Sequence, residues 1–158
     1  RGTPDAEIAR DAMKDLRTSI AAMDSQPVPI IDALADWRAE TNSRCEVAKC
    51  QLHWNQAQDV PEVDLPPRMK GMLESVMREV ITNALKHASP KSIQVAFQAN
   101  LTQMKMEVEN DGDIADPLTW QDGYGLRNIR GRMEELGGNL NISSTDGKVR
   151  LTLAIPLP

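Results

Sequence analysis

With 158 residues, the chain has room for one domain of ordinary size and a short appendage. It is 41% hydrophobic but only 3% aromatic, so its core must be filled by Leu, Ile, Val and eight Met, which pack adaptably. A net charge of −5, from 18 basic and 23 acidic residues, argues against nucleic acid as the main partner, because binding a phosphate backbone calls for a basic surface.

Other classes fall away on similar grounds. No apolar run approaches the length of a membrane span, and no signal-peptide pattern is present. The chain starts at Arg1 without a Met and reads as a fragment of something longer. Its two cysteines, Cys45 and Cys50, fit a reducing compartment. With His53 as the only neighbouring ligand they are too few for a zinc site.

Taken in chain order, Asp5 to about Met23 is expected to be a helix, with Ile8, Ala12, Met13, Leu16, Ile20 and Met23 at helical spacing. That stripe needs a partner, either a hairpin or dimer contact or the chain's own domain. Pro27 and Pro29 break the helix. A second helix is expected from Ile30 to about Thr41, then a strand from Cys45 to Trp54 that would hold both cysteines, then a polar loop to Asp64. Pro66 and Pro67 open a long helix running to Ala88. Strands follow at Ile93 to Ala99 and Met104 to Glu109. A loop from Asn110 to Asp122 leads to a helix from Leu126 to Leu136, stopped by Gly137 and Gly138. A last hairpin pairs Asn139–Ser143 with Val149–Ile155 across Thr145 to Gly147. The order implies an α+β fold with helices on one face of a largely antiparallel sheet.

Two segments carry chemistry. On a wheel of about 100° per residue, Leu73, Val76, Met77, Val80, Ile81, Ala84, Leu85 and Ala88 form one apolar stripe of the long helix. Glu79, Asn83, Lys86 and His87 fall on a polar strip beside it. A carboxylate and an amide one turn apart can orient a hydrated Mg²⁺, and the cations one turn on can face phosphates. Taken alone, the strip reads more readily as a solvated face. The second segment is Gly123, Tyr124 and Gly125, followed by Leu126, Arg127 and Arg130. Two cations at a helix start oppose the helix dipole, and an anion bound by the backbone N–H groups there would relieve this. Arginines paired to Glu134 and other acids are the alternative. Between the two segments, Asn110, Asp111 and Gly112 follow a strand. They could receive an exocyclic amine and let a flat ring approach the backbone, or could simply mark a turn.

The order of these three elements resembles the ATP-binding domain shared by histidine kinases, DNA gyrase, Hsp90 and MutL. Glu79 to Ala88 is similar to its N box, Asn110–Gly112 to its first glycine box, and Gly123–Gly138 to the second, in the form found in sensor histidine kinases of the NarX, UhpB and DesK type. The resemblance covers about Leu65 to Pro158. Ala9 to Ile20 resembles the second helix of the dimerisation and phosphoacceptor hairpin in the same kinases, which divides the chain into a hairpin remnant, 1–25, and an ATP-binding domain, 26–158.

The resemblance implies a two-layer α/β sandwich of the Bergerat type that binds ATP and Mg²⁺. By the motif match, Glu79 is the general base or polarising carboxylate and Asn83 the Mg²⁺ ligand, with Glu79 reaching the ion through water. Lys86 and His87 lie near the phosphates, Asn110 and Asp111 bracket the adenine amine, and Gly112 lies under the ring. Gly123, Tyr124, Gly125, Leu126 and Arg127 form the phosphate side, and Asp113 to Asp122 a short ATP lid. The family's Asp aligns with Asn110, its second Gly with Ile114, and its Thr before the last strand with Val149. The His followed by an acid that accepts phosphate is absent, since His53 belongs to the expected strand and His87 to the N box. The implied activity is transfer of the ATP γ-phosphate to a histidine outside this fragment, for relay to a response-regulator receiver domain. The implied setting is a homodimer anchored in the bacterial inner membrane, with this domain cytoplasmic. A nucleotide-binding module with decayed kinase activity and an anti-sigma-factor-type serine kinase are the alternatives; the helix at Asp5–Met23 speaks against the latter.

Overall fold

The computed structural model describes residues 3–23, 26–112 and 124–158. Among the described residues four helices and seven strands follow in chain order: α1 (Pro4–Met23), β1 (Val28–Pro29), α2 (Ile30–Val47), β2 (Gln51–Gln56), β3 (Asp64–Leu65), α3 (Pro67–Ala88), β4 (Ser92–Ala99), β5 (Gln103–Asn110), α4 (Tyr124–Glu135), β6 (Asn139–Thr145) and β7 (Lys148–Pro156). Five strands form one sheet in the order β2-β4-β5-β7-β6. Only the β2–β4 pair is parallel; the β4–β5, β5–β7 and β6–β7 pairs are antiparallel. The expected α+β architecture with a largely antiparallel sheet is therefore present. Its one parallel pair follows from placing a 22-residue helix, α3, between β2 and β4, since parallel neighbours need such a crossover.

Alternation decides which face of the sheet is covered. Ile93, Val95 and Phe97 of β4, Met104, Met106 and Val108 of β5, and Val149, Leu151, Leu153 and Ile155 of β7 are all buried. Their neighbours Gln94, Gln98 and Arg150 are exposed. The helices supply the opposing layer through Ile30, Leu34 and Trp37 of α2, Val76, Val80 and Ile81 of α3, and Leu126, Ile129 and Met133 of α4. Each such side chain contributes about 1.5–3 kcal/mol on burial, so this layer dominates the stability of the fold.

The expected strand from Cys45 to Trp54 is corrected. Helix α2 runs past Thr41 to Val47, and the strand begins only at Gln51. The helical spacing of buried residues continues through Trp37, Thr41 and Cys45 at four-residue intervals, so the helix keeps its inner face as far as the first cysteine. It then ends in a Schellman turn. Lys49 adopts φ 56°, its N–H bonds to Glu46 O, and Cys50 N–H bonds to Cys45 O at 2.8 Å. Cys45 and Cys50 thus flank a helix end instead of sharing a strand, and both are free and buried.

The two-stranded sheet β1–β3 joins the residues leading into α2 to those leading into α3 (Val28 opposite Leu65). Three rungs continue the connection: Lys70 to Asp36 at 3.3 Å, Arg78 to Glu40 at 2.7 Å, and Arg44 to the Thr82 hydroxyl at 3.0 Å. Both numbers rise together along the rungs, so α2 and α3 run side by side in the same direction. The hydrogen bond from Arg78 is the largest influence on Glu40; with the nearby positive charge it outweighs partial burial and holds that carboxyl below its ordinary range.

Candidate functional site

These rungs fix the rotation of α3. With its apolar stripe on the sheet and the Lys70, Glu74, Arg78 and Thr82 side against α2, the remaining side carries Ser75, Glu79 and Asn83, each half-buried. Glu79 and Ser75 line a cleft of about 330 Å³ whose other wall includes Asn128 and Arg132 of α4 and whose third side is α1. Lys86, in the last turn of α3, is exposed, and the side chain of His87 lies outside the described set.

The first glycine box meets the end of α3. Residues 104, 106, 108 and 110 of β5 all point to the covered face, so Asn110 continues a row of Met104, Met106 and Val108 into the interior. It is 1% exposed. Its Nδ2 donates to Asp111 O at 2.9 Å, while its Oδ1 has no partner. An unpaired acceptor at that depth is costly by about 1–3 kcal/mol unless a ligand satisfies it. Asp111 is engaged instead by protein: its Oδ1 accepts from Lys91 N–H (2.7 Å) and Ser92 N–H (3.1 Å), and its Oδ2 from the Ser92 hydroxyl (3.1 Å). Partial burial alone would raise its carboxyl pKa, but these hydrogen bonds, helped by Lys148, win and hold it below the usual value. Gly112 sits at φ 106°, and a Cβ there would lie 2.1 Å from Ala88 O. A glycine is required because the chain passes directly against the end of α3.

In the segment expected to face phosphate, Gly123 and the expected lid, Asp113 to Asp122, lie outside the described residues, as does Ile114. Helix α4 begins at Tyr124, two residues earlier than expected, so Tyr124 and Gly125 open it; their side chains are not among those described. Leu126 is 2% exposed and belongs to the core, which leaves only its backbone for ligand contact. Arg127 is exposed and lines a second cleft, about 380 Å³, together with Arg68, Ser75 and Asn128. The helix stops as its sequence dictates, in a left-handed Gly137 (φ 70°) with Gly138 N–H bonded to Met133 O at 2.8 Å. His53 does lie in a strand, exposed on β2.

The fold thus brings Glu79 into a cleft with α4, with Asn83 one turn further along the same side of α3, and Gly112 against the end of α3. Two contributors were missed by the sequence reading. Ser75 stands one turn before Glu79 and was legible on the wheel. The Lys91–Ser92 clamp on Asp111 depends on register between β4 and β5 and left no local signal.

Residues 70–158 match the family described as histidine kinase-, DNA gyrase B- and HSP90-like ATPase. The chain belongs to that family and carries an ATP-binding domain of the kind found in sensor histidine kinases. It is 30% identical over 97 residues to the histidine-protein kinase/phosphatase UhpB of Salmonella typhimurium, covering 61% of this chain and 19% of that protein. It is 31% identical over 88 residues to the sensor histidine kinase DesK of Bacillus subtilis, covering 55% and 24%. It is 32% identical over 90 residues to the nitrate/nitrite sensor NarQ of Escherichia coli, covering 56% and 16%. The chain therefore spans under a quarter of the length of these relatives. Among solved structures it resembles the histidine kinase domain of the Erythrobacter litoralis EL346 blue-light activated kinase (TM-score 0.66, 24% identity, 78% of this chain and 60% of that one). It also resembles full-length ShkA in complex with AMPPNP (TM-score 0.71, 16% identity, 96% and 35%). At these identities the structural likeness speaks to the fold alone.

Proposed function

We propose that this domain binds ATP with Mg²⁺ and directs the γ-phosphate to a histidine on a dimerisation hairpin outside this fragment, for relay to an aspartate of a response-regulator receiver domain. The observation that carries the reading is the buried, unpartnered Oδ1 of Asn110. It is an acceptor suited to an exocyclic amine, at the end of an apolar row where a flat base can sit. In this role Asn110 selects adenine, while Asp111, clamped by Lys91 and Ser92, holds the end of β5 in place for it. Peptide N–H groups at the start of α4 receive the phosphates, as an open helix N-terminus does for anions. Among the described residues no three His, Cys, Asp or Glu side chains cluster to hold a metal by themselves. That fits an ion taking one protein oxygen, from Asn83, with Glu79 reached through water and the rest supplied by phosphate and solvent. Mg²⁺, when bound, offsets phosphate charge. Glu79, lining the cleft, takes the proton of the attacking imidazole as general base.

On this reading residues 1–25 are the end of the hairpin's second helix and 26–158 the ATP-binding domain. Among the described residues no helix is long and apolar enough to cross a membrane. The membrane anchor, the sensing region and the phosphoacceptor histidine belong to the parent protein, a homodimer whose cytoplasmic part includes this domain.

Calorimetry with Mg·ATP tests the reading. Binding should occur, and Asn83→Ala should remove its Mg²⁺ dependence while circular dichroism stays unchanged. No heat, together with no displacement of a fluorescent ATP analogue, would sink it. A longer chain that includes the hairpin should label from radioactive ATP in acid-labile form; acid-stable label would indicate a serine kinase instead.

A further inference from the structure

The turn that ends α2 brings two sulfurs together. Cys45 is the last inner residue of the helix and Cys50 lies just beyond the turn, both buried. The bond from Cys50 N–H to Cys45 O (2.8 Å) folds one back over the other, and side chains at these two positions of such a turn meet. Here they meet as thiols, hydrogen-bonded to each other. Already in contact, they can bond without a change of fold.

Cys50 also leads toward Asn110. Its neighbour Gln51 opens the parallel β2–β4 pair opposite Ser92, and the Gln51 N–H donates to Lys91 O at 2.8 Å. Lys91 and Ser92 in turn hold the Asp111 carboxylate, and the Asp111 carbonyl receives Asn110 Nδ2. The Asp111 charge is close enough to bear on the Cys50 thiol. Bonded sulfurs lie about 2 Å apart, well inside a thiol–thiol contact, so closing a disulfide must draw one of them across. Cys45 is fixed on the packed face of an 18-residue helix, whereas Cys50 stands in the connection between α2 and β2, so Cys50 gives way.

We propose that Cys45 and Cys50 are a dithiol modification site, closed to a disulfide by a hydroperoxide, and that closure draws Gln51 off Lys91 and loosens the Asp111 clamp behind Asn110. The sulfur of Cys50, the more exposed of the two, attacks the hydroperoxide. The O–O bond breaks, an alcohol or water leaves with the thiol proton, and Cys50 becomes a sulfenic acid. Cys45 then attacks that sulfur. The S–O bond breaks, water leaves with the second thiol proton, and the S–S bond forms, the pair having lost two electrons to the peroxide. Burial keeps both thiols protonated, so the site answers to sustained oxidant and not to a brief pulse. The consequence for nucleotide rests on the reading of Asn110; the chemistry of the pair does not.

The test treats the full chain with hydrogen peroxide and follows it by mass spectrometry of the digest, amide hydrogen exchange, and calorimetry with Mg·ATP and with Mg·triphosphate. The segment carrying both cysteines should lose two hydrogen atoms and regain them with dithiothreitol. Cys45→Ala, lacking the resolving sulfur, should gain oxygen on Cys50 instead. In the oxidised parent, exchange at Gln51, Lys91 and Ser92 should rise, and Mg·ATP should bind about fivefold more weakly with Mg·triphosphate unchanged. A folded parent that gains oxygen at these cysteines, or closes the bond only in urea, overturns the site. A disulfide with unchanged exchange at Lys91 and Ser92 overturns the loosening. Raised exchange with unchanged Mg·ATP affinity overturns the link to base recognition. If the reduced parent binds no Mg·ATP, the nucleotide reading fails and takes that link with it, while mass and exchange still judge the pair.

Discussion

Around Asn110 the main restraints are burial and backbone contact: an amide sunk into an apolar row, a carboxylate clamped by two N–H groups, and a glycine pressed against the last carbonyl of α3. Around Glu79 the walls are helices, and one of them, α1, is held by the Asp15–Arg132 pair, whose acid is 60% exposed. The difference is one of magnitude. Buried contacts of the first kind stand for one to several kcal/mol each, exposed ion pairs for about 0–1. The surroundings of Asn110 are therefore held more firmly than the helical walls around Glu79 on the same scaffold.

The sharpest way to break this comparison is Gly112→Ala. A methyl 2.1 Å from Ala88 O, on a backbone at φ 106°, forces β5 and α3 apart. A loss of about 2–4 kcal/mol and a clearly lowered melting temperature are expected. A melting temperature within a degree of the parent would mean that the base end is softer than described. Asn110→Ala comes next. It removes the lone acceptor and should weaken ATP binding about ten- to a hundredfold in calorimetry, with little change in the affinity of inorganic triphosphate. Equal loss for both ligands would move Asn110 out of base recognition.

The smallest effect concerns Asp111. Its folded-state pKa is depressed, so the stability it adds is present above the ordinary carboxylate range and is lost as pH falls through the lowered value. Asp111→Asn should cost about 1 kcal/mol at neutral pH by urea unfolding. The gap between variant and parent should close on acidification through and below that range. A gap that persists in strong acid would assign the cost to packing instead of charge.

What could be read from the sequence follows the range of the interactions. The stripe from Leu73 to Ala88 fixes α3 because its periodicity is local, and Gly137 marks the end of α4 for the same reason. Cys45 misled because the residues around it mix polar and apolar in a way that also suits a strand. Its burial as the last inner position of α2 depends on packing against the sheet. The pairing of β1 with β3, two residues each, has no sequence period at all. In the site, the polar strip of α3 was visible, whereas the strand was expected to stop at Glu109 and instead carries Asn110 as its last inward residue. The Asp111 clamp and the Asp15–Arg132 pair join segments about 20 and 117 residues apart, and only the folded chain brings them together.

The turn that ends α2 has a practical corollary. Cys45 and Cys50 sit 1% and 7% exposed across it, and burial is the main reason both thiols are pushed up, Cys50 to about 11. At neutral pH each is protonated and shielded, hence a poor nucleophile. An alkylating reagent reaches them when this stretch frays, so the rate of labelling reports how much of the time the seam between α2 and the edge strand β2 stands open.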